Sequence, residues 1–132
     1  MRIRNWSLGY LFGYMFTSIG VRSFYRKYKV VGKDNIPKGK PILFAGNHQN
    51  AFLEGAILGY VTGSPIYFLV RSDIFKKKAA RFMLNSLNAL PIYRERDGAD
   101  YRDKNEKVFE QFYDLLSKNR RIVIFPEGNH GK

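Results

Sequence analysis

Four short apolar runs, residues 41–45 (PILFA), 66–70 (IYFLV), 90–93 (LPIY) and 121–125 (RIVIF), punctuate the chain. Runs of this length, bounded by turn residues and free of helical periodicity, are what strands buried on both faces of a sheet look like. Helical patterns separate them. Residues 51–61 carry an apolar pattern compatible with a helix. Ser72 or Asp73 is placed to cap a second helix that reaches about Leu87, burying Ala79, Ala80, Met83, Leu84 and Leu87 and exposing the lysines. Residues 101–118 form the clearest amphipathic segment, with Val108, Phe109, Phe112, Leu115 and Leu116 on one side. Strands alternating with helices predict an α/β fold with a mostly parallel sheet and helices on both faces. Before them, residues 28–31 read as a short β-like run and residues 32–40 (GKDNIPKGK) as a polar turn.

In open α/β sheets, ligands bind outside the carboxyl ends of the strands. Three polar blocks fall there: GNHQNAFLE at 46–54, YRERDG at 93–98 and FPEGNHGK at 125–132. The first holds His48 with Glu54 six positions on. An imidazole titrating near pH ~6.5 is matched to taking a proton from a hydroxyl at neutral pH, and a carboxylate can orient it. A loop histidine bonded to backbone is the plainer reading, and the spacing alone does not separate the two.

Composition removes several alternatives. The chain contains no cysteine, which excludes a thiol nucleophile, thiolate metal ligands and disulfides. No G-x-S-x-G occurs, which disfavours a serine hydrolase. A net charge of +12 attracts phosphate-bearing partners. Residues 5–21 (NWSLGYLFGYMFTSIGV) carry no charge, with Arg2 and Arg4 before them and Arg22, Arg26, Lys27 and Lys29 after. This favours an anionic membrane surface over nucleic acid, which would leave that segment without a purpose. The segment is 17 residues long, below the ~20 typical of a span, and rich in Trp and Tyr. It reads as a helix lying in or dipping into one leaflet; a single short span is the rival. Either arrangement keeps the rest of the chain on the cytoplasmic face. Residues 1–27 are thus expected to form a membrane-associated helix and residues 28–132 the α/β domain. Gly9 and Gly13 are spaced to admit a close helix neighbour.

The three blocks together resemble the glycerolipid acyltransferases, the family of lysophosphatidate and glycerol-3-phosphate acyltransferases. The resemblance covers nearly the whole chain. It rests on Asn47-His48 with a downstream acid, on Leu90-Pro91-Ile92-Tyr93-Arg94, and on Phe125-Pro126-Glu127-Gly128, in the family's order and spacing. Two departures stand out. The acid is Glu54 and lies one position later than the family's aspartate, and Asn129-His130 replace the usual Thr/Ser-Arg. The family's fourth, proline-containing block has no counterpart before Lys132. Because a parallel strand there is ordinarily followed by a crossover helix, a longer protein is expected.

The resemblance implies transfer of a fatty acyl group from acyl-CoA or acyl-carrier protein to a hydroxyl of a lysophospholipid or glycerol phosphate, without metal, cofactor or acyl-enzyme. His48 would act as general base with Glu54 as its partner. Arg94, assisted by Arg96, would hold the acceptor phosphate through its fork of donors. Glu127 would hold an acceptor hydroxyl or pin Arg94, and Gly128 would let the ligand approach the backbone. The alternatives are a non-catalytic, basic, membrane-peripheral module and an inactive fragment of the enzyme.

Overall fold

The computed structural model describes residues 6–47 and 53–126 of the 132-residue chain. Within them the order is α1 (Leu8–Phe24), β1 (Ile42–Ala45), α2 (Leu53–Thr62), β2 (Ile66–Arg71), α3 (Lys78–Ser86), β3 (Ala89–Ile92), α4 (Tyr101–Ser117) and β4 (Arg121–Ile124). Short 3₁₀ turns occupy Lys33–Asn35, Ser72–Lys76 and Glu95–Asp97. The sheet is parallel throughout, in the order β1-β4-β2-β3. All four strands therefore end at one edge.

Side-chain alternation divides the core in two. Tyr67, Leu90 and Ile122 point to one face and pack against Val108, Phe112 and Leu115 of α4. Phe68, Val70 and Ala89 point to the other, against Phe75 and Leu84 of the α3 segment. Helix α2 lies on that second face, where a Cβ on Gly55 would meet the Phe68 ring at 3.8 Å. The chain runs outward from β2 to β3 through α3, then back to β4 through α4. Reversing direction while keeping right-handed crossovers moves the connecting helix to the opposite face.

The expected β1 differs in one respect. Residues 41–45 read as a strand buried on both faces, yet β1 is an edge strand whose burial alternates, with Leu43 52% exposed. Among the described residues its strand neighbour is β4 alone, and α4 packs over β3 and β4, leaving the Leu43 side open. The expected helix from Ser72 to Leu87 is also broken. Lys77 is extended (φ −79°, ψ 126°) and separates a 3₁₀ turn from α3. Neither cap forms, because the Ser72 hydroxyl donates to Asp97 and Asp73 pairs with Arg71. Phe75 instead turns inward, and its carbonyl accepts from Arg81 Nε at 2.9 Å. Leu84 is buried as expected, whereas Ala79 and Met83 are exposed. Residues 28–31 form no strand.

Helix α1 is tied to the sheet's second face. Ser7 caps it, accepting from the Tyr10 N–H at 3.0 Å, and donates its own proton to the Ser86 carbonyl at 2.9 Å. The buried Tyr10 hydroxyl accepts from the Ile66 N–H at 3.0 Å, at the start of β2. The close approach expected of Gly9 and Gly13 is present: added Cβ atoms would sit 2.6 Å from Ser86 Cβ and from Leu87 Cδ2 respectively. The first clash involves an atom next to the backbone, the second a flexible side-chain end. Gly9→Ala is accordingly expected to destabilise the fold by about 1–2 kcal/mol through overpacking. Gly20→Ala, with nothing within 4 Å, is expected to stabilise by up to about 1 kcal/mol through helix propensity. Thermal melts of the two variants check the contrast.

Along the outer side of α1, Leu8, Leu11, Phe12, Met15, Phe16 and Ile19 are exposed. Among the described residues no helix is long and apolar enough to cross a membrane. Seventeen residues span about 26 Å, short of a hydrocarbon core of about 30 Å.

Candidate active site

The described beginnings of all three polar blocks leave the sheet at the edge formed by the strand ends. Strands β1 and β4 pair in register from Ile42↔Arg121 to Ala45↔Ile124, and the Gly46 N–H extends the ladder to the Ile124 carbonyl at 3.2 Å. The Phe125 ring covers Gly46 at 3.7 Å from where a Cβ would stand. The chain leading into His48 and the chain leading into Glu127 thus leave the sheet side by side. His48, Glu127 and Gly128 themselves lie outside the described residues. Glu54 is half-buried on the first turn of α2.

The second block emerges at the far side of the same edge. Strand β2 sends its chain to the α3 face and its neighbour β3 sends its chain to the α4 face. A crevice opens where adjacent strands diverge in this way, and it is the usual ligand position in such sheets. Arg71, Ser72 and Asp73 form one wall, and Arg94 and Asp97 the other. The Asp97 carboxylate accepts from the Arg94 N–H at 2.9 Å and from the Ser72 hydroxyl at 2.8 Å, joining the walls. These donors, the Arg94 N–H foremost, hold its carboxyl below the ordinary carboxylate range. Asp73 is likewise held low, chiefly by the Arg71 guanidinium, whose Nε donates to it at 3.2 Å.

Arg94 itself is one-third exposed and lies 3.7 Å from Asp73 and 3.8 Å from Asp97. Both separations exceed hydrogen-bonding distance, and its buried Nε has no hydrogen-bond partner among the described residues. Its fork of donors is therefore attracted to carboxylates without being satisfied by them. Arg96 is exposed on the Glu95–Asp97 turn, between Arg94 and Asp97 in the chain.

The residue before Arg94, Tyr93, is held by an asparagine that sequence reasoning missed. The Asn105 side chain pairs with the backbone of Tyr93 on both sides, accepting from its N–H at 3.0 Å and donating to its carbonyl at 2.9 Å. Helix α4 thereby supplies the end of β3, an edge strand, with the partner a further strand would give. A signal was present. Asn105 occupies the position three before Val108 and seven before Phe112, on an otherwise apolar stripe. A polar residue there must meet a polar partner when buried. Ser72, Asp73 and Arg71 carried no comparable mark.

No group of three or more metal-ligating side chains occurs among the described residues. The fold and this edge together define an α/β protein whose strand ends carry a crevice lined by paired arginines and aspartates. The sequence matches the family described as Acyltransferase over residues 27–131, and the chain belongs to that family, the glycerolipid acyltransferases. Comparison with curated proteins and with solved structures gives no match. Membership supports acyl transfer as the general activity.

Proposed function

We propose that the protein moves a fatty acyl group from acyl-CoA or acyl-carrier protein to a hydroxyl of a lysophospholipid or glycerol phosphate. His48 removes the acceptor's hydroxyl proton as the oxygen attacks the thioester carbonyl. The tetrahedral intermediate then collapses, the C–S bond breaks, and the imidazolium returns the proton to the departing thiolate. Glu54 orients the ring and stabilises its charged form. Arg94, with Arg96 at the rim, takes the acceptor phosphate, while Glu127 and Gly128 border the acceptor's glycerol.

The observation that carries this reading is convergence on one edge of a family member's sheet. The β1 and β4 ends adjoin, and Arg94 follows the strand two positions beyond β4. Two strand spacings from β4 are about 10 Å, and three from β1, the strand that leads into His48, about 14 Å, separations that the long arginine side chain shortens. The decisive test is an assay of the purified protein with acyl-CoA or acyl-carrier protein and a panel of lysophosphatidate, glycerol 3-phosphate and other lyso-lipids. Ester formed in step with thiol release supports the reading; thiol release with only free fatty acid would sink it.

The reading includes attachment to the cytoplasmic face of an anionic membrane. The exposed apolar side of α1 supports it, as do Arg22, Arg26, Lys27 and Lys29 at that helix's far end. Inserting a phenylalanine side chain contributes about 1.5–3 kcal/mol when burial is complete. Phe12→Ser with Phe16→Ser is expected to weaken sedimentation with phosphatidylglycerol-containing vesicles by about 100-fold. Circular dichroism should stay that of the parent, since both rings are exposed.

A further inference from the structure

The crevice between β2 and β3 contains two arginines and two aspartates that are not equivalent. Asp97 is a structural acceptor: its carboxylate is largely covered and receives the Arg94 N–H and the Ser72 hydroxyl. Removing it would detach one wall from the other. Asp73 is different. It is one-third exposed and has its close contacts with Arg71, two residues before it on the same wall. Toward the opposite wall it reaches Arg94 only at 3.7 Å, too far for a hydrogen bond. Arg71 is more than half exposed, so its guanidinium is open to solvent as well as to Asp73.

We propose that Asp73 occupies a seat for the phosphate monoester of a substrate, between Arg71 and Arg94, and is displaced from it when that phosphate binds. A carboxylate and a phosphate compete for the same guanidinium forks, and a phosphate monoester brings more charge and one more oxygen. Held at 3.7 Å, Arg94 retains donors that Asp73 does not use, so the incoming group gains hydrogen bonds as well as charge. Arg71, held now by Asp73, becomes the second cation of the seat. Asp73 thus acts as an internal competitor: it keeps two neighbouring guanidinium groups apart in charge terms while the seat is empty, and it sets how strongly a phosphate must bind to replace it. Asp73 is a specificity-determining residue in this account, and it touches no reacting atom.

The proposal deepens the acyltransferase reading and rests on it for the identity of the substrate, but its test needs no turnover. Calorimetric titration of the full chain with sn-glycerol 3-phosphate and, separately, with CoA, whose ribose carries a phosphate monoester, distinguishes the two sources. Asp73→Asn, which keeps shape and removes charge, is expected to tighten one of these by roughly threefold or more. Arg94→Gln is expected to weaken the same ligand in both backgrounds. The ligand that tightens identifies the source. Unchanged or weaker binding of both to Asp73→Asn overturns the proposal, and Asp73→Ser repeats the comparison should the asparagine variant melt early. In the transfer assay the expected signature is a lower KM for the phosphate-bearing substrate, with kcat moving less. A merely structural Asp73 would instead lower kcat or raise KM. If the phosphate tightens while no acyl transfer occurs in the parent, the seat stands and the activity reading fails.

Discussion

Replacing His48 with alanine is expected to reduce acyl transfer by about 10³-fold, with vesicle binding kept at the parent's level. The magnitude follows from general base catalysis, whose loss typically removes 10²–10⁴ in rate. The sequence has two histidines, His48 and His130, and no cysteine, and only His48 sits in the block that leaves β1. The reaction needs proton removal only as the C–O bond forms, so the loss should fall on kcat. A change in KM alone would indicate a binding role and sink the assignment. Glu54→Gln adds the second half. An orienting carboxylate acts through the imidazole, so its loss should lower kcat at neutral pH, and combining it with His48→Ala should add little. Equal, multiplying losses would show that Glu54 works independently of His48.

The second large effect is expected at Asn105. Its replacement by alanine leaves the Tyr93 N–H and carbonyl without their side-chain partner, and each unpaired, part-buried backbone group costs about 1–3 kcal/mol. Asn105→Ala should therefore destabilise the protein by about 2–4 kcal/mol in urea or thermal unfolding. Because Tyr93 precedes Arg94, the variant should also raise KM for a phosphate-bearing acceptor at temperatures where it stays folded. Asn105→Gln, with the same carboxamide one methylene further out, is expected to recover less than half of either loss. Recovery in full would show that the pairing geometry is not what matters.

Much of the fold was legible from local pattern. All four strands lie within about a residue of the apolar runs that announced them, and α4 follows its apolar periodicity from Tyr101 to Ser117. The resemblance carried by the three blocks agrees with the family match over residues 27–131. The rest was set by contacts between distant segments. Ser72 and Asp73 look like helix caps until Asp97 and Arg71 claim them. The burial of β1 could not be read because its apolar run does not say that it ends the sheet. Arg94 was identified from its motif, whereas its relation to Arg71 and Asp73 depends on β2 and β3 being neighbours, and that pairing is invisible in either segment alone. All six site residues come from the sequence; Glu54, Arg94 and Arg96 have described positions, and His48, Glu127 and Gly128 lie outside the described residues.

The strand order has a kinetic consequence. β4 is the last strand described, and it lies between β1 and β2, pairing with both. Until residues 121–124 arrive, β1 has no strand to bond with and β2 has one open side. Among the described strands there is no hairpin-like local start of the kind available to many small domains. Every ladder joins segments separated by a whole crossover or more, so closure entropy must be met before pairing returns any stabilisation. Folding of these four strands is consequently gated by β4. During synthesis the exposed apolar run of β1 waits for a partner some eighty residues downstream, the interval in which such a chain is most exposed to mispairing.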